Sequence, residues 1–228
     1  MSAALRVLLV GAQGRMGQAV AAAIGRDSGL TIAGGIHRDD AIAAVIDQCD
    51  VVIDFSVADA STEIAQACAE HRKPLVIGTT GQSAAQKESL ATASGRVPIV
   101  FAANFSAGVN VLFALTRRAT EWLGDGFDVN VIEMHHRTKK DAPSGTAKRL
   151  LEILREVRAE GSDIAVQSIR AGDMVGEHTV IFSGRGERLE LTHRAESRQT
   201  FAVGALRAAC WVVRQSPGLY KMEDVLGL

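Results

Sequence analysis

Short apolar runs alternate with longer amphipathic stretches over the first hundred residues of the chain. The apolar runs predict five strands, at Arg6–Val10, Leu30–Ile36, Val51–Phe55, Leu75–Ile77 and Ile99–Ala102. The stretches between them predict helices at Met16–Gly25, Ala60–His71 and Ala84–Ala93. Because the strands are nearly continuous Val, Ile and Leu, helices are expected on both faces of their sheet. The alternation predicts an α/β protein with a doubly wound, Rossmann-type parallel sheet.

The pattern changes after Asn104. Helical periodicity predicts helices at Val109–Trp122, Thr146–Ala159 and Phe201–Arg214. Strand-like runs lie at Asp128–Met134, Ile164–Arg170, His178–Ser183 and Arg188–His193. Strands clustered in this way, with glycine-rich turns between the later ones, indicate an inserted α+β domain on a mixed sheet. We therefore expect a dinucleotide-binding domain over 1–104 plus 200–228, and a substrate-binding and oligomerisation domain over 105–199.

A glycine-rich turn follows the first predicted strand and leads into the first helix. Gly11, Gly14 and Gly17 give the spacing G-x-x-G-x-x-G, in place of the commoner G-x-G-x-x-G. Backbone N–H groups of such a turn, at the positive end of a helix, approach a pyrophosphate closely. A plain tight turn is the alternative. The strand before and the helix after the turn favour a dinucleotide.

The end of the second strand normally selects between the two nicotinamide dinucleotides. An acidic residue there binds the adenosine ribose, whereas an arginine accommodates a 2′-phosphate. This chain has His37 followed by Arg38, and carboxylates come only at Asp39 and Asp40. We therefore expect NADPH to be used at least as well as NADH. The alternative for Arg38 is an ordinary solvated side chain.

The segment Glu133–Thr146 is the most unusual part of the chain, and it lies between a predicted strand and a predicted helix. It is locally basic in a protein whose formal net charge is only −1. Ser144, Gly145 and Thr146 open the helix, where a hydroxyl can cap it and unpaired N–H groups can bind an anion. Capping alone is the alternative. The basic residues beside this helix start favour a small substrate that carries carboxylates.

Two adjacent histidines and a lysine are the candidate proton-handling groups of this segment. In extended backbone His135 and His136 point to opposite faces, which makes joint chelation of a metal improbable. One of them can transfer a proton near neutral pH, and the other can bind a ligand or pack structurally. Lys139 can donate a proton or attract a carboxylate. We predict no metal site.

Composition narrows the classes of function. The near-zero net charge gives no reason to expect nucleic acid or an anionic membrane as a partner. The chain lacks a signal-type start and any apolar run of a membrane span's length, so a cytoplasmic protein is expected. Three separated cysteines without a C-x-x-C motif suit a reducing compartment. A serine-nucleophile elbow and a P-loop are both absent from the sequence.

Together these motifs resemble the dihydrodipicolinate reductase family (4-hydroxy-tetrahydrodipicolinate reductases) of bacterial lysine and diaminopimelate synthesis. The resemblance spans nearly the whole chain in the family's order. The motifs that carry it are GAQGRMG (11–17), VIDFS (52–56), VIGTTG (76–81), FAANFSAGVNV (101–111), EMHHRTKKDAPSGTA (133–147), RAGDMVGEHTVIF (170–182) and GERLELTHRAESRQTFAVGALRAA (186–209).

The resemblance implies hydride transfer from NADPH or NADH to a cyclic imine dicarboxylate, which gives tetrahydrodipicolinate. It implies that His135 and Lys139 handle protons, and that His136 with Gly145 and Thr146 holds the substrate; we add Ser144 to the substrate-binding group. It also implies homotetramers assembled through the substrate-domain sheets, with the two domains closing over the ligands. The expected cofactor-binding residues are Gly11, Ala12, Gln13, Gly14, Arg15, Met16, Arg38, Gly78, Thr79, Thr80, Ala102, Ala103, Asn104 and Phe105.

Three features depart from the family's pattern. The chain is shorter than many members, and the loss falls between Arg38 and Asp50. His37 replaces an acidic residue often seen there, and Lys140 adds a second lysine beside Lys139. Two alternatives remain: another imine or amino-acid dehydrogenase of similar build, and a dinucleotide-sensing regulator without turnover.

Overall fold

The computed structural model describes residues 4–25, 29–37, 40–158 and 163–228. The chain divides into two compact units. The first contains Met1–Ser106 together with Gln199–Gly227, and the second contains Ala107–Arg198. The chain thus leaves the first unit once and returns to it through its last long helix.

The first unit is built on a six-stranded parallel sheet with the order β10-β5-β4-β3-β1-β2. Its strands are β1 (Leu5–Val10), β2 (Leu30–Ile36), β3 (Val51–Asp54), β4 (Leu75–Ile77), β5 (Pro98–Phe101) and β10 (Gly218–Tyr220). Its helices are α1 (Arg15–Ile24), α2 (Ser61–Glu70), α3 (Ala84–Ser94), α6 (Gln199–Val212) and α7 (Met222–Leu226). The predicted doubly wound parallel sheet is confirmed.

Successive side chains of the central strands enter two separate apolar layers. Val7 and Leu9 of β1 pack with α1, α6 and α7, whereas Leu8 and Val10 pack with α2 and α3. Since neighbouring residues of a strand point to opposite faces, only a continuous apolar run can fill both layers. This requirement explains why the strand sequences do not alternate between apolar and polar residues.

The strand order reverses at β1, because β2 lies on one side of it and β3, the next strand along the chain, lies on the other. Ligands of open parallel sheets bind outside the carboxyl ends of the strands at such a point. The described part of the connection from β2 to β3 contains two 3-10 turns, Ile42–Ala44 and Ile46–Gln48, and no α-helix. Ile42 and Ile46 are buried, so these short turns close the apolar layer on that side of the sheet.

The second unit is a four-stranded mixed sheet with two helices, which confirms the predicted α+β insertion. Its elements are α4 (Ala107–Leu123), β6 (Asp128–His135), α5 (Gly145–Val157), β7 (Ala165–Arg170), β8 (Gly176–Gly184) and β9 (Glu187–Ala195). The strand order is β7-β6-β8-β9, with β6 and β7 parallel and the other pairs antiparallel. Helices α4 and α5 pack on one face, against Val131, Val180 and Phe182.

Two short elements near the C-terminus escaped the prediction. Strand β10 adds three residues at the β5 edge of the sheet, and α7 follows it at once. Both are too short to show a hydrophobic period. Among the described residues, no helix combines the length and the apolar character that crossing a membrane requires.

Candidate functional site

A row of polar side chains crosses the second unit on the face that carries its helices. Glu133 and His135 lie on β6 with Val129 and Val131, all on the buried side of the strand. In the register of the sheet, Glu133 pairs with His178 on β8, which pairs in turn with His193 on β9. His135 pairs with Arg170 on β7. The sheet register therefore brings together residues that lie up to sixty positions apart.

Glu133 is the centre of this row, and its side chain is fully buried. The guanidinium of Arg170 donates to both carboxylate oxygens, with Nη2 2.6 Å from Oε1 and Nη1 3.0 Å from Oε2. His135 Nδ1 lies 2.5 Å from Oε2, and the Ser144 N–H donates to Oε1 at 3.3 Å. Burial alone would raise the pKa of Glu133, but hydrogen bonds from Arg170, Ser168 and His135 lower it to about 2. Glu133 is therefore an ionised carboxylate, which can accept hydrogen bonds but cannot donate one.

His135 is neutral in this environment. Burial is the largest cause that lowers the pKa of His135, and the charges of Lys139 and Arg170 lower it further against the opposing effect of Glu133. Its ring lies edge-on to that of His178, with 5.1 Å between the ring centroids. Only 10% of the side chain is exposed, and the backbone of Gly176 lies beside Nε2.

His178 supports the start of α5 through Ser144. Burial, together with the neighbouring His135, lowers the pKa of His178 to about 3, so the ring is neutral. Its Nε2 lies 3.0 Å from Ser144 Oγ, while its buried Nδ1 has no hydrogen-bond partner among the described residues. An orphaned N–H costs more than an orphaned acceptor, so we place the proton on Nε2, which donates to Ser144.

The N-terminus of α5 meets the basic loop at the surface of this unit. Ser144 is the N-cap residue, and its Oγ accepts the Ala147 N–H at 3.2 Å. Gly145 is exposed and Thr146 is half-buried. The N–H groups of this first turn and the positive end of the helix provide a place for an anion.

Lys139 and His136 lie in the loop that leads to this helix. Lys139 Nζ forms an ion pair with Asp141 Oδ1 at 2.8 Å, and that ion-paired hydrogen bond lowers the pKa of Asp141. His136, half-exposed, places Nδ1 2.7 Å from Thr138 Oγ1. His135 and His136 thus do point to opposite sides, one buried and one toward the surface.

Backbone hydrogen bonds anchor this loop to the segment that follows β7. His136 N–H donates to the Met174 carbonyl at 2.8 Å, and Arg137 N–H donates to Gly172 at 3.1 Å. Arg170 Nη2 also donates to the Asp141 carbonyl at 2.7 Å. The ion pair of Glu133 with Arg170 therefore holds the second half of the loop, at Asp141 and at Ser144.

Glu133, His135 and His178 place one potential metal-ligand atom each within 4.8 Å of one another. The Glu133 oxygens already accept hydrogen bonds from Arg170, His135 and Ser144. A metal ion would displace these donors and stand beside the Arg170 cation, which its charge disfavours. The donor set fits a hydrogen-bonded network better than a metal site.

The glycine-rich turn of the first unit has the geometry that a pyrophosphate requires. Gly11 has a φ of +77°, and a Cβ on Gly17 would stand 2.3 Å from the Gly11 carbonyl oxygen. Gly14 is the N-cap residue of α1 and supplies no side chain to cap its N–H groups. The residues from Gln13 to Arg15 are exposed, whereas Met16 packs against the core. The N–H groups in the first turn of α1, which no side chain of the N-cap residue caps, fit a dinucleotide phosphate.

Aromatic packing ties together the carboxyl ends of β3, β4 and β5. A Cβ on Gly78 would stand 2.0 Å from the Phe55 ring, and that ring meets Phe105 edge-on with 5.8 Å between centroids. Phe105 is buried in the core, so it can line a cofactor only through its backbone. Thr79 is buried, while Thr80 and Ala103 are exposed and Ala102 and Asn104 are half-buried.

A cavity of about 290 Å³ lies at the point where the strand order reverses. Gly11 and Gly14 line it from the end of β1, and Phe55 and Ser56 line it from the end of β3. Asp54, buried beneath, accepts hydrogen bonds from Ser56 N–H at 2.8 Å and from Ser56 Oγ at 2.5 Å. The first unit thus contains an apolar cavity next to the glycine turn, suited to a flat heterocycle.

The end of this cavity that lies beside the carboxyl end of β2 is described up to His37 and again from Asp40. His37 and Asp40 line it, and Asp40 Oδ2 accepts the His37 N–H at 2.8 Å. Arg38, which we expect to contact a 2′-phosphate, lies outside the described residues. Its assignment remains a prediction from the sequence.

Sequence reasoning singled out His135, His136, Lys139 and the start of α5, but it gave no role to their supports. Arg170 and His178 were missed, and Glu133 was noted only as the start of the segment. The pairing of β7 and β8 with β6 assembles these residues, and a single sequence contains no direct sign of that register.

Comparison with known proteins gives matches along both units of the chain. The profile described as dihydrodipicolinate reductase, N-terminus, matches residues 5–105, and the corresponding C-terminal profile matches residues 108–226. The 4-hydroxy-tetrahydrodipicolinate reductase of Akkermansia muciniphila is 47% identical over 243 residues, covering 98% of each chain. That of Syntrophobacter fumaroxidans is 43% identical over 265 residues, covering 98% of this chain and 99% of the relative.

A solved structure shares the fold over its whole length. The dipicolinate-bound dihydrodipicolinate reductase of Paenisporosarcina sp. TG-14 has a TM-score of 0.82 at 23% identity, covering 97% of this chain and 99% of its own. The two profiles span both units, and the curated relatives match over nearly their full length. The chain therefore belongs to the dihydrodipicolinate reductase family of NAD(P)H-dependent oxidoreductases, which act in lysine biosynthesis.

Proposed function

We propose that this chain carries out its family's reaction by dividing the work between its two units. The first unit binds the dinucleotide at the carboxyl ends of its strands. The second unit binds the cyclic imine dicarboxylate at the N-terminus of α5. One observation carries the proposal: the loop with His136 and Lys139 is joined to that helix start by a buried ion pair, Glu133 with Arg170.

The exposed glycine turn and the cavity beside it support the cofactor assignment. NADPH or NADH, when bound, supplies the hydride. Gly11, Gly14 and the first N–H groups of α1 hold the pyrophosphate, and Ala12, Gln13, Arg15 and Met16 complete the turn. Gly78, Thr79 and Thr80 after β4, with the backbone from Ala102 to Phe105 after β5, line the rest of the cofactor. Arg38 receives the adenosine end.

The substrate assignment rests on charge and on hydrogen-bond donors. A dicarboxylate suits the N–H groups of Gly145 and Thr146, the positive end of α5 and the nearby Lys139 ammonium. Ser144 Oγ accepts hydrogen bonds from Ala147 and His178, which leaves its own hydrogen to donate to a carboxylate. His136, at the surface of the same loop, adds a further donor or acceptor.

Hydride addition to the substrate leaves negative charge on the ring, and a proton must neutralise it. His135 and Lys139 are the proton-handling groups of this site. Lys139 lies in the loop that leads to α5, and its ion pair with Asp141 is accessible to solvent on the Asp141 side. A substrate carboxylate can replace Asp141 as the anionic partner of Lys139.

A coupled assay tests the function directly. Dihydrodipicolinate synthase, pyruvate and aspartate semialdehyde generate the substrate, and oxidation of NADPH is followed by absorbance. We expect NADPH oxidation only when the synthase is present. Oxidation that is absent, or that does not depend on the synthase, would reject the proposal. His135→Gln and Lys139→Ala should each lower kcat more than they change KM, and near wild-type turnover in both would remove these residues from the chemistry.

We also propose that the protein is a cytoplasmic homotetramer assembled through the sheets of the second unit. The face of that sheet opposite α4 and α5 carries Ile132, Met134, Ile169 and Ile181, and Ile169 is 42% exposed. Apolar side chains on an uncovered sheet face favour association with a second copy. Sedimentation equilibrium of the wild type and of Ile169→Lys tests this, because the variant should dissociate if the face is the interface.

A further inference from the structure

We propose that Glu133 is a positioning residue that fixes the ring of His135 in the tautomer with its proton on Nδ1, which leaves proton delivery to Lys139. This inference rests on the proposed assignment of the site to substrate reduction. It assigns a task to a buried carboxylate that never meets the substrate. It also decides between the two proton-handling candidates.

Glu133 Oε2 and His135 Nδ1 face each other, and their chemistry decides which of them carries the hydrogen. Both Glu133 oxygens accept hydrogen bonds from the Arg170 guanidinium, so the carboxylate is ionised and has no hydrogen to donate. His135 Nδ1, 2.5 Å from Oε2, must therefore carry the hydrogen of that contact. A neutral imidazole has one N–H, so Nε2 is left as an acceptor.

The charges around His135 determine whether its ring is neutral or protonated. Arg170 on β7 and Lys139 in the following loop are cations, and both oppose a positive charge on the ring. His178 on β8 meets the ring edge-on and is itself neutral. Glu133 is the one opposing anion in this set of neighbours, and Arg170 already neutralises it. The surroundings therefore hold His135 in its neutral form.

His135 and Lys139 differ in whether they have a proton to donate to the substrate. Nε2 of a neutral, Nδ1-protonated His135 offers a lone pair and no hydrogen. Lys139 presents an ammonium group with three hydrogens, and within the described part of the chain the exposed Asp141 is its one ion-pair partner. Lys139 consequently donates the proton that follows hydride transfer. His135 Nε2 accepts a hydrogen bond from the substrate or from water beside it.

The wild-type protein permits the first test without any substitution. Histidine side-chain ¹⁵N–¹H correlation spectra, assigned with His135→Gln, report which ring nitrogen carries the hydrogen. At pH 7.5 we expect the Nδ1–H tautomer at His135. An Nε2–H tautomer, or a charged ring at that pH, would overturn the inference even if the enzyme is fully active. If the spectrum shows the expected tautomer but the coupled assay fails, the result supports this inference and rejects the proposed function.

Glu133→Gln is the decisive variant. Its carbonyl oxygen keeps the Oε1 contacts with Arg170 Nη2 and the Ser144 N–H. Its NH₂ group takes the place of Oε2, loses the bond from Arg170 Nη1 and donates to His135 Nδ1, which reverses the tautomer. We expect kcat to fall roughly tenfold or more, with KM changed much less. Glu152→Gln, an exposed glutamate of the same unit paired with Arg149, is the matched control and should leave kcat and the spectrum unchanged.

A double-mutant cycle separates positioning from a merely structural role. Because Glu133 acts through His135, Glu133→Gln should add nothing to the loss of kcat in His135→Gln. Losses that multiply would show that Glu133 acts elsewhere. If Glu133→Gln does not fold because Arg170 is left half-paired, the same cycle is run in an Arg170→Met background and read in the same two ways. Arg170→Met alone is then the reference, because it accounts for the lost bond to the Asp141 carbonyl.

Discussion

Gly17 lies so close to Gly11 that a Cβ on Gly17 would stand 2.3 Å from the carbonyl oxygen of Gly11. The Cβ of a residue at position 14 would lie 3.2 Å from the same oxygen, in ordinary extended backbone with φ −67°. Gly17 permits close packing of α1 on the turn. Gly14, at the exposed N-cap, is expected to leave space for the ligand.

Gly17→Ala and Gly14→Ala should separate these tasks. We expect Gly17→Ala to lower the free energy of unfolding by about 1–3 kcal/mol, because backbone must move. Gly14→Ala should change stability by less than about 1 kcal/mol but weaken NADPH binding roughly tenfold or more, because its Cβ meets the pyrophosphate. Urea denaturation and titration of NADPH fluorescence measure the two effects. Unchanged NADPH affinity in Gly14→Ala would place the dinucleotide elsewhere.

Lys139 and Lys140 form a matched pair of neighbours. Lys139 is paired with Asp141 and mostly shielded, whereas Lys140 is exposed. Lys139→Ala should lower kcat by roughly a hundredfold, as loss of a general acid typically does, and Lys140→Ala should stay within about twofold. Steady-state kinetics in the coupled assay provide the comparison. Equal effects in the two variants would mean that only the charge of the loop matters.

The buried His178 should make the stability of the protein depend on pH. Its pKa is about 3 in the folded state, against 6.5 for an ordinary histidine. As the pH falls below 6.5 the unfolded chain binds a proton that the folded chain does not, so folding loses free energy. The loss is about 2 kcal/mol between pH 6.5 and 5, and it continues toward pH 3. Glu133 adds to it only below pH 4.5, because its pKa is depressed to about 2.

His178→Gln tests that prediction, since glutamine can still donate to Ser144 but does not titrate. Urea unfolding at pH 7 and pH 5 should show a smaller pH-dependent loss in this variant than in the wild type. A wild-type pH dependence in His178→Gln would assign the effect to other groups.

The absence of a side chain at Gly176 leaves room for the ring of His135. A Cβ on Gly176 would stand 2.9 Å from His135 Nε2, and the ring cannot swing away without breaking its bond to Glu133. Gly176→Ala should therefore lower kcat, by roughly tenfold, with little change in the affinity for NADPH. Gly126→Ala, at a position with open space around it, is the control. Wild-type kcat in Gly176→Ala would argue that the ring position is not critical.

Arg38 is predicted to select the nucleotide. We expect Arg38→Ala to lower kcat/KM for NADPH more than for NADH, because only NADPH carries the 2′-phosphate. Arg96→Ala, an exposed arginine after α3, should leave the ratio of the two values unchanged. If Arg38→Ala preserves the wild-type ratio, Arg38 is an ordinary surface residue and another group selects the nucleotide.

Sequence periodicity was sufficient for most of the fold, for a physical reason. Strands covered on both faces must be continuously apolar, so β1, β3, β4 and β5 were predicted to within a residue at each end. The edge strand β2, which is partly exposed, was predicted with its observed bounds. Three-residue β10 has no period to detect. The loop with His136 and Lys139 was recognisable by its composition. Arg170 and His178 were not, because they reach Glu133 only through the pairing of distant strands. Local composition identifies the groups at a surface, and long-range register decides what lies beneath them.

The connection between β2 and β3 closes one apolar layer of the sheet with short turns. Ile42 and Ile46 are buried there, and the described part of the connection contains no α-helix. Ile42 also lines the cavity beside the glycine turn. One residue therefore belongs both to the core and to the cavity wall, so a smaller side chain at position 42 should lower stability and enlarge the cavity together.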